Sequence, residues 1–277
     1  MAKTEQEDQI DDKPMPLMEH LVELRTRLIW SSVAFAVCFG ISYYFADDIY
    51  YFLARPLAEI LRNQGHGEPQ LIYTQLYEAF FTRIKVAFFG GMFLGFPVIA
   101  TQLWLFIAPG LYRSEKNAFL PFLLATPVLF FTGAALAYYF VFPLAWEFFA
   151  SFQSSTGGGG VPIALLPKVS EYLDLVMKMI FAFGLTFELP VALTLMAKVG
   201  IVSSAALKRV RRYAYVGMFV VAAIMAPPDV ISQVALAVPL IALYEISIIA
   251  AGFVEPKPVV EEDDKDDEPE GEKKSDA

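Results

Sequence analysis

No charged residue occurs between Leu28 and Ala46, between Val86 and Tyr112, or between Phe119 and Phe142. A fourth run, Met179 to Ala197, is interrupted only by Glu188, and two shorter runs follow, Tyr213 to Pro228 and Val230 to Tyr244. Apolar runs of about 18 residues or more mark transmembrane helices, because a helix satisfies its own backbone hydrogen bonds where no water is available. The pattern is that of an all-α, polytopic membrane protein with six spans, the last two short. At about 1.5 Å per residue, Tyr213 to Ala226 reaches only about 21 Å of a ~30 Å hydrocarbon core, so the bilayer should thin there. Fusing the last two runs into one helix is the alternative, but Pro227, Pro228 and Asp229 lie between them, and paired prolines do not sit inside a regular helix. A tight re-entry turn is expected. Composition agrees: the chain is 56% hydrophobic with a mean hydropathy of +0.50, and the excess over a soluble domain lies in blocks, not in alternation.

Cations set the orientation. Lys13, Arg25 and Arg27 precede span one, Arg113 and Lys116 join spans two and three, and Lys198, Lys208, Arg209, Arg211 and Arg212 join spans four and five. These are alternate loops, so the positive-inside rule places both termini in the cytoplasm. A secretory signal is the competing reading of residues 1–46, but the apolar run is long and "ADDIYYF" follows it instead of a small-residue cleavage site. Residues 1–15 and 255–277 read as disordered cytoplasmic tails on either side of a transmembrane domain, 16–254. The second tail supplies most of the net charge of −9, which opposes nucleic-acid binding. The segments Asp47–Ala79 and Pro143–Lys168, the first containing Pro56, should cap the bundle on its outer side.

Several chemistries lack their marks. Cys38 is the single cysteine and His20 and His66 are far apart, so neither a disulfide nor a metal site is expected. There is no phosphate-binding loop, no H-E-x-x-H and no G-x-S-x-G, which argues against nucleotide hydrolysis, metalloproteolysis and serine hydrolysis. No enzyme activity and no cofactor are expected. Pro97, Pro121, Pro127, Pro190 and Pro239 fall within the spans and should bend them into a concave bundle. Before span one, Leu17, Leu21, Leu24 and Leu28 share one helical face while Glu19, Glu23 and Arg27 share another, as in an amphipathic helix on the membrane surface. A plain i,i+4 pair between Glu23 and Arg27 is the alternative role for those charges. Glu115 alone reads as a solvated loop charge.

Five segments together resemble one family. They are "HLVELRTRL" before span one, "IAPGLYRSEK" after span two, "AFGLTFELPVAL" in span four, "RRYAYVGMFVVAAIMAPPDVISQ" through span five and its turn, and "VPLIALYEISI" in span six. In this order they are similar to TatC, the polytopic core of the twin-arginine protein translocase, over Pro16 to Phe253. The resemblance implies a bacterial or archaeal cytoplasmic membrane, TatA-type and TatB-type single-span partners, an oligomeric assembly, and the arginine-pair signal peptides of folded cargo as ligands. It implies that Glu23 and Glu115 receive the arginine pair, with Arg25 and Phe106 shaping the site. A guanidinium fork fits a carboxylate bidentately, so two arginines match two acids. It further implies roles for the intramembrane Thr186, Glu188 and Gln233, and for the outer Pro56, Pro227, Pro228 and Asp229. Ala226 stands where the family commonly has threonine, and the acidic tail lies outside the shared core.

Glu188 is the residue that composition alone does not explain. Pro190 leaves the carbonyl of Thr186 without its helical donor, so Thr186, Glu188 and that carbonyl should form a polar notch. A protonated Glu188 would donate there or to a partner helix. The alternative is a secondary transporter or ion channel with Glu188 as the coupling carboxylate, although the halves of the chain lack matching broken helices.

Overall fold

A computed structural model describes residues 17–63, 70–107, 116–152, 166–225 and 229–254. Glu115, Pro227, Pro228 and both expected tails lie outside the described residues. Nine α-helices account for nearly all of what is described. They are α1 (Leu17–Tyr44), α2 (Ala46–Asn63), α3 (Glu78–Ile107), α4 (Lys116–Leu136), α5 (Phe142–Ala150), α6 (Val169–Phe187), α7 (Leu189–Lys198), α8 (Ser204–Met225) and α9 (Val230–Val254). A π-helical turn, Ala137–Val141, joins α4 to α5.

Five spans are long and apolar enough to cross a membrane: Met18–Tyr44, Glu78–Ile107, Leu120–Ala150, Val169–Lys198 and Val230–Val254. The sixth expected span, α8, is helical but begins with Lys208, Arg209, Arg211 and Arg212. Its apolar part is confined to the final turns, as the charge-free run implied. The helices form an open row. Helix α1 packs chiefly on α3 and α8 chiefly on α9, with α4, α6 and α7 between them and no substantial contact between α1 and α8 among the described residues.

Four boundaries differ from the sequence expectation, each for a physical reason. The N-terminal segment is not a separate surface helix: it continues unbroken into span one over 28 residues, since no glycine or proline interrupts it before Gly40. Span three runs past Phe142 to Ala150, because the π turn accommodates Pro143, whose ring would otherwise clash one turn back. Span four is two helices that meet at Glu188, with Pro190 in the first turn of the second. Helix α9 is not short. It passes through Glu245 for 25 residues, because Arg211 meets that carboxylate at 2.7 Å and the Tyr215 hydroxyl donates to it as well. A partnered charge does not end a membrane helix.

The end opposite to the start of α1, here the far end, is covered by α2, which packs on α3 and α5. The second expected capping segment differs: its residues 143–150 belong to span three, and 153–165 lie outside the described residues. Helix α2 turns Leu53, Pro56, Leu57 and Leu61 inward. Pro56 has no N–H, which orphans the carbonyl of Phe52 one turn earlier. The Tyr138 hydroxyl, presented by the π turn, donates to that carbonyl at 2.7 Å, and the Tyr172 hydroxyl donates to the next one, Leu53 O, at 2.8 Å. Glu78 ties the rest of the cap together. Its carboxylate accepts from the N–H groups of Thr74 (2.9 Å), Gln75 (3.3 Å) and Ser170 (3.2 Å), beside the bridge between Ile72 and Lys168. A double-mutant cycle tests the proline account. Tyr138→Phe in the native chain should lower stability by about 0.5–1.5 kcal/mol, the net worth of a hydrogen bond to a part-buried carbonyl. In a Pro56→Ala background, where residue 56 again supplies an N–H, the same change should cost markedly less. Equal losses of thermal stability in the two backgrounds would show that the hydroxyl does not serve the orphaned carbonyl.

Candidate functional site

Two polar constellations stand out on the frame described above. The first lies at the near end, where α1 begins and α3 finishes. Helix α1 turns Glu23 and Arg27 toward α3 while Leu21, Leu24 and Leu28 stay exposed. Arg27 donates to Glu23 at 3.2 Å and to the side chain of Gln102 on α3 at 3.1 Å. The i,i+4 pair weighed above is therefore present, and Gln102 fixes its direction across the helix interface. His20, one turn earlier, stacks on Phe106 with ring centroids 4.4 Å apart. Glu23 and Phe106 are thus brought to one face. Arg25 points elsewhere and is exposed. Each Glu23 oxygen has two lone pairs, so the carboxylate can still accept from an incoming guanidinium beyond its bond to Arg27.

The second constellation lies inside span four, where α6 meets α7. Within span four, Val169–Lys198, Glu188 stands ten residues after Lys178 and ten before Lys198, about 15 Å along the chain axis from either. Lys178 reaches the carbonyl of Ile224 at the far end of α8 (3.1 Å). Both Glu188 carboxyl oxygens are buried without a hydrogen-bond partner among the described residues. They face the hydroxyl of Thr126 on α4 outside bonding geometry. Thr126 is buried and accepts the indole N–H of Trp104 from α3 at 3.0 Å, so its own proton remains to be donated. Three helices therefore deliver Trp104, Thr126 and Glu188 to one place. Thr186 sits half-buried on the last turn of α6, next to the break.

Packing holds this notch in register. A Cβ at Gly133 would lie 2.6 Å from the carbonyl oxygen of Phe183, and one at Gly184 would lie 2.5 Å from the ring of Phe130. Phe130 is fully buried and stacked on Phe96 at 3.6 Å. The close approach of α4 to α6 is what places Thr126 by Glu188.

The remaining predicted residues are structural in their contacts. Asp229 caps α9: its Oδ1 accepts from the N–H of Ser232 at 2.7 Å, satisfying an otherwise orphaned donor. Gln233 donates to the carbonyl of Phe219 at 3.4 Å, linking α9 to α8. Pro56 lies buried inside α2, in the far cap. Sequence reasoning missed Trp104, Thr126 and Gln102. The available signal was a polar or indole-bearing residue inside a charge-free run, which is ambiguous until the helices are assembled.

Comparison with known proteins follows the same lines. Residues 19–239 match the family model described as Sec-independent protein translocase protein (TatC). A protein named Sec-independent protein translocase protein TatC from Magnetococcus marinus is 55% identical over 246 residues, covering 89% of this chain and 87% of that protein. Its namesake from Escherichia coli (strain K12) is 42% identical over 238 residues, covering 86% and 88%. A crystal structure titled as the twin arginine translocase receptor TatC superposes with a TM-score of 0.70 at 39% identity, covering 85% of this chain and 99% of that one.

Proposed function

The chain belongs to the TatC family of Sec-independent protein translocase proteins, and from that premise we propose that it receives the arginine-pair signal peptides of folded cargo at the cytoplasmic face of a bacterial or archaeal membrane. As a family member it is a multi-pass component of the twin-arginine translocase, a transport subunit and not an enzyme.

The observation that carries the reading is the near-end face. Glu23 is oriented by Arg27 and Gln102, and Phe106 stands beside it nine residues before Glu115 in the chain. One acid held on α1 and a second, Glu115, eight residues past the end of α3 in the sequence suit two guanidinium groups, each of which pairs best with its own carboxylate. TatA-type and TatB-type single-span subunits assemble on the open row, for which the outward apolar side chains of α8 and α9, such as Val216, Val220, Val234 and Val238, offer a lipid-facing surface. Gln233 and the Glu188 notch supply the polar points of contact. A solute transporter coupled through Glu188 has less support, because no cation pairs with that acid among the described residues.

Charge reversal tests the recognition. Glu23→Lys and Glu115→Lys should each weaken cross-linking to an arginine-pair signal peptide by roughly tenfold or more, since an attraction becomes a repulsion at a hydrogen-bonded charge. Both variants should insert normally, because Arg27 keeps its bond to Gln102 in the first and the second changes a residue outside the spans. Signal-peptide capture at wild-type strength in both variants would overturn the assignment.

A further inference from the structure

We propose that the basic start of α8 is an electrostatic docking surface whose occupant is this chain's own acidic C-terminal segment, residues 255–277. Three cations on the first turns of α8, Lys208, Arg209 and Arg212, are exposed. Among the described residues none of them is paired with an acid, and Arg212 instead lies over the ring of Tyr213, 4.7 Å from its centroid, and donates to that hydroxyl. Arg211 is the contrast. It points toward α9 and is neutralised by Glu245.

Helix α9 delivers the segment to this patch. The Tyr244 hydroxyl donates to the carbonyl of Leu207 at 2.9 Å, and a Cβ at Gly252 would lie 3.9 Å from the Cβ of Ser204. The described chain therefore finishes, at Val254, beside the first turn of α8. Beyond it come eleven acidic and four basic residues, so the segment holds seven of the nine net negative charges. The dense acidic run, Glu261 to Glu268, starts seven residues after Val254, a reach of about 25 Å in extended chain. Ser204 and Arg212 are separated by only about 12 Å along the helix. Reach exceeds need. Tethering raises the local concentration of a short segment to about the millimolar range, so weak, many-centred attraction suffices to hold it there. Anionic lipid headgroups are the rival occupant, since basic residues flanking a membrane helix attract them too. The segment is covalently present and the lipid is not. The proposal needs only that α8 starts where α9 ends, and it stands apart from the signal-peptide assignment.

The test measures distance in the full chain. With Cys38→Ala in the background, spin labels are placed at Ala205→Cys and Gly271→Cys, positions that alter none of the charges, and the protein is held in phosphatidylcholine discs. Expected is a short-distance population that falls by about tenfold as salt rises from about 0.01 M to about 1 M, where the screening length drops from ~30 Å to ~3 Å. It should fall equally at low salt in Lys208→Gln/Arg209→Gln/Arg212→Gln. Should that variant insert poorly, the salt series on the unaltered patch decides alone. A distance distribution indifferent to salt overturns the proposal. So does a missing short population in phosphatidylcholine when phosphatidylglycerol discs immobilise the label at 205 in the native patch and not in the triple variant, which would make this a lipid surface.

Discussion

Gly133→Val will strip most of the folded protein from the membrane, and Gly184→Val will do nearly as much. A side chain at 133 meets the backbone oxygen of Phe183 at 2.6 Å and the ring of Phe187 at 2.8 Å. Backbone cannot rotate aside, so α4 and α6 must separate. At 184 the obstacle is the Phe130 ring of α4, which is fully buried and backed by Phe96 of α3. Without a strong hydrophobic force between helices in lipid, close van der Waals approach across small residues carries the association. Overpacking costs about 1–3 kcal/mol even in forgiving cores, and here an isopropyl group, three added carbons, faces a fixed carbonyl. The internal control is Gly217→Ala, where nothing lies within 4 Å of the added atom. That variant should melt at or above the native temperature, since alanine favours helix over glycine by about 0.8–1.0 kcal/mol. Melting in detergent and membrane level are the measurements. A Gly133→Val protein that melts like the native chain would mean that the two helices part without cost, and the register of the notch would need another cause.

The spans were legible because charge is so costly in hydrocarbon that its absence over Val86 to Tyr112 or Phe119 to Phe142 has one common meaning. The ends of the spans were less legible, and for the same reason. A charge was read as a boundary, yet Glu245 continues inside α9 because Arg211 and Tyr215 on α8 partner it. A proline was read likewise, yet Pro143 continues inside span three because one extra residue in the preceding turn relieves its ring. Both exceptions are tertiary or conformational, and a single linear pattern carries neither. The candidate sites divide similarly. Glu188 announced itself as a lone acid in an apolar run and Glu23 as part of a charged stripe. Their working neighbours did not. Trp104 and Thr126 lie 84 and 62 positions before Glu188, and only the packing of α3, α4 and α7 brings the three together. At the far cap the sequence marked Pro56 only as part of a capping segment; that a proline inside α2 orphans the carbonyl of Phe52 became visible with the helix, and its donor, Tyr138, lies 82 positions beyond Pro56.

Glu188→Leu will leave the protein inserted at native level or above while cutting cargo export by roughly tenfold or more, since it removes a costly polar group from span four together with the carboxyl that faces Thr126. The Thr126 hydroxyl accepts from Trp104 and has one proton left to give. With leucine opposite, that proton has no acceptor at 188, and a partner helix bringing a polar side chain to the notch finds no matching group. Glu188→Gln keeps a donor and an acceptor in nearly the same volume. It should retain much of the export if hydrogen bonding is the task of the acid. Thr126→Val separates the notch from the carboxyl itself: it should lower export less than Glu188→Leu, and the loss should not add when the two are combined, as expected for groups acting through one contact. The measurement is export of an arginine-pair cargo with membrane level and TatA- and TatB-type co-purification followed for each variant. Equal failure of Gln and Leu would transfer the role to proton release and rebinding by the carboxylate, the coupling chemistry weighed from the sequence. Full export by Glu188→Leu would make the buried acid dispensable and leave the notch as packing alone.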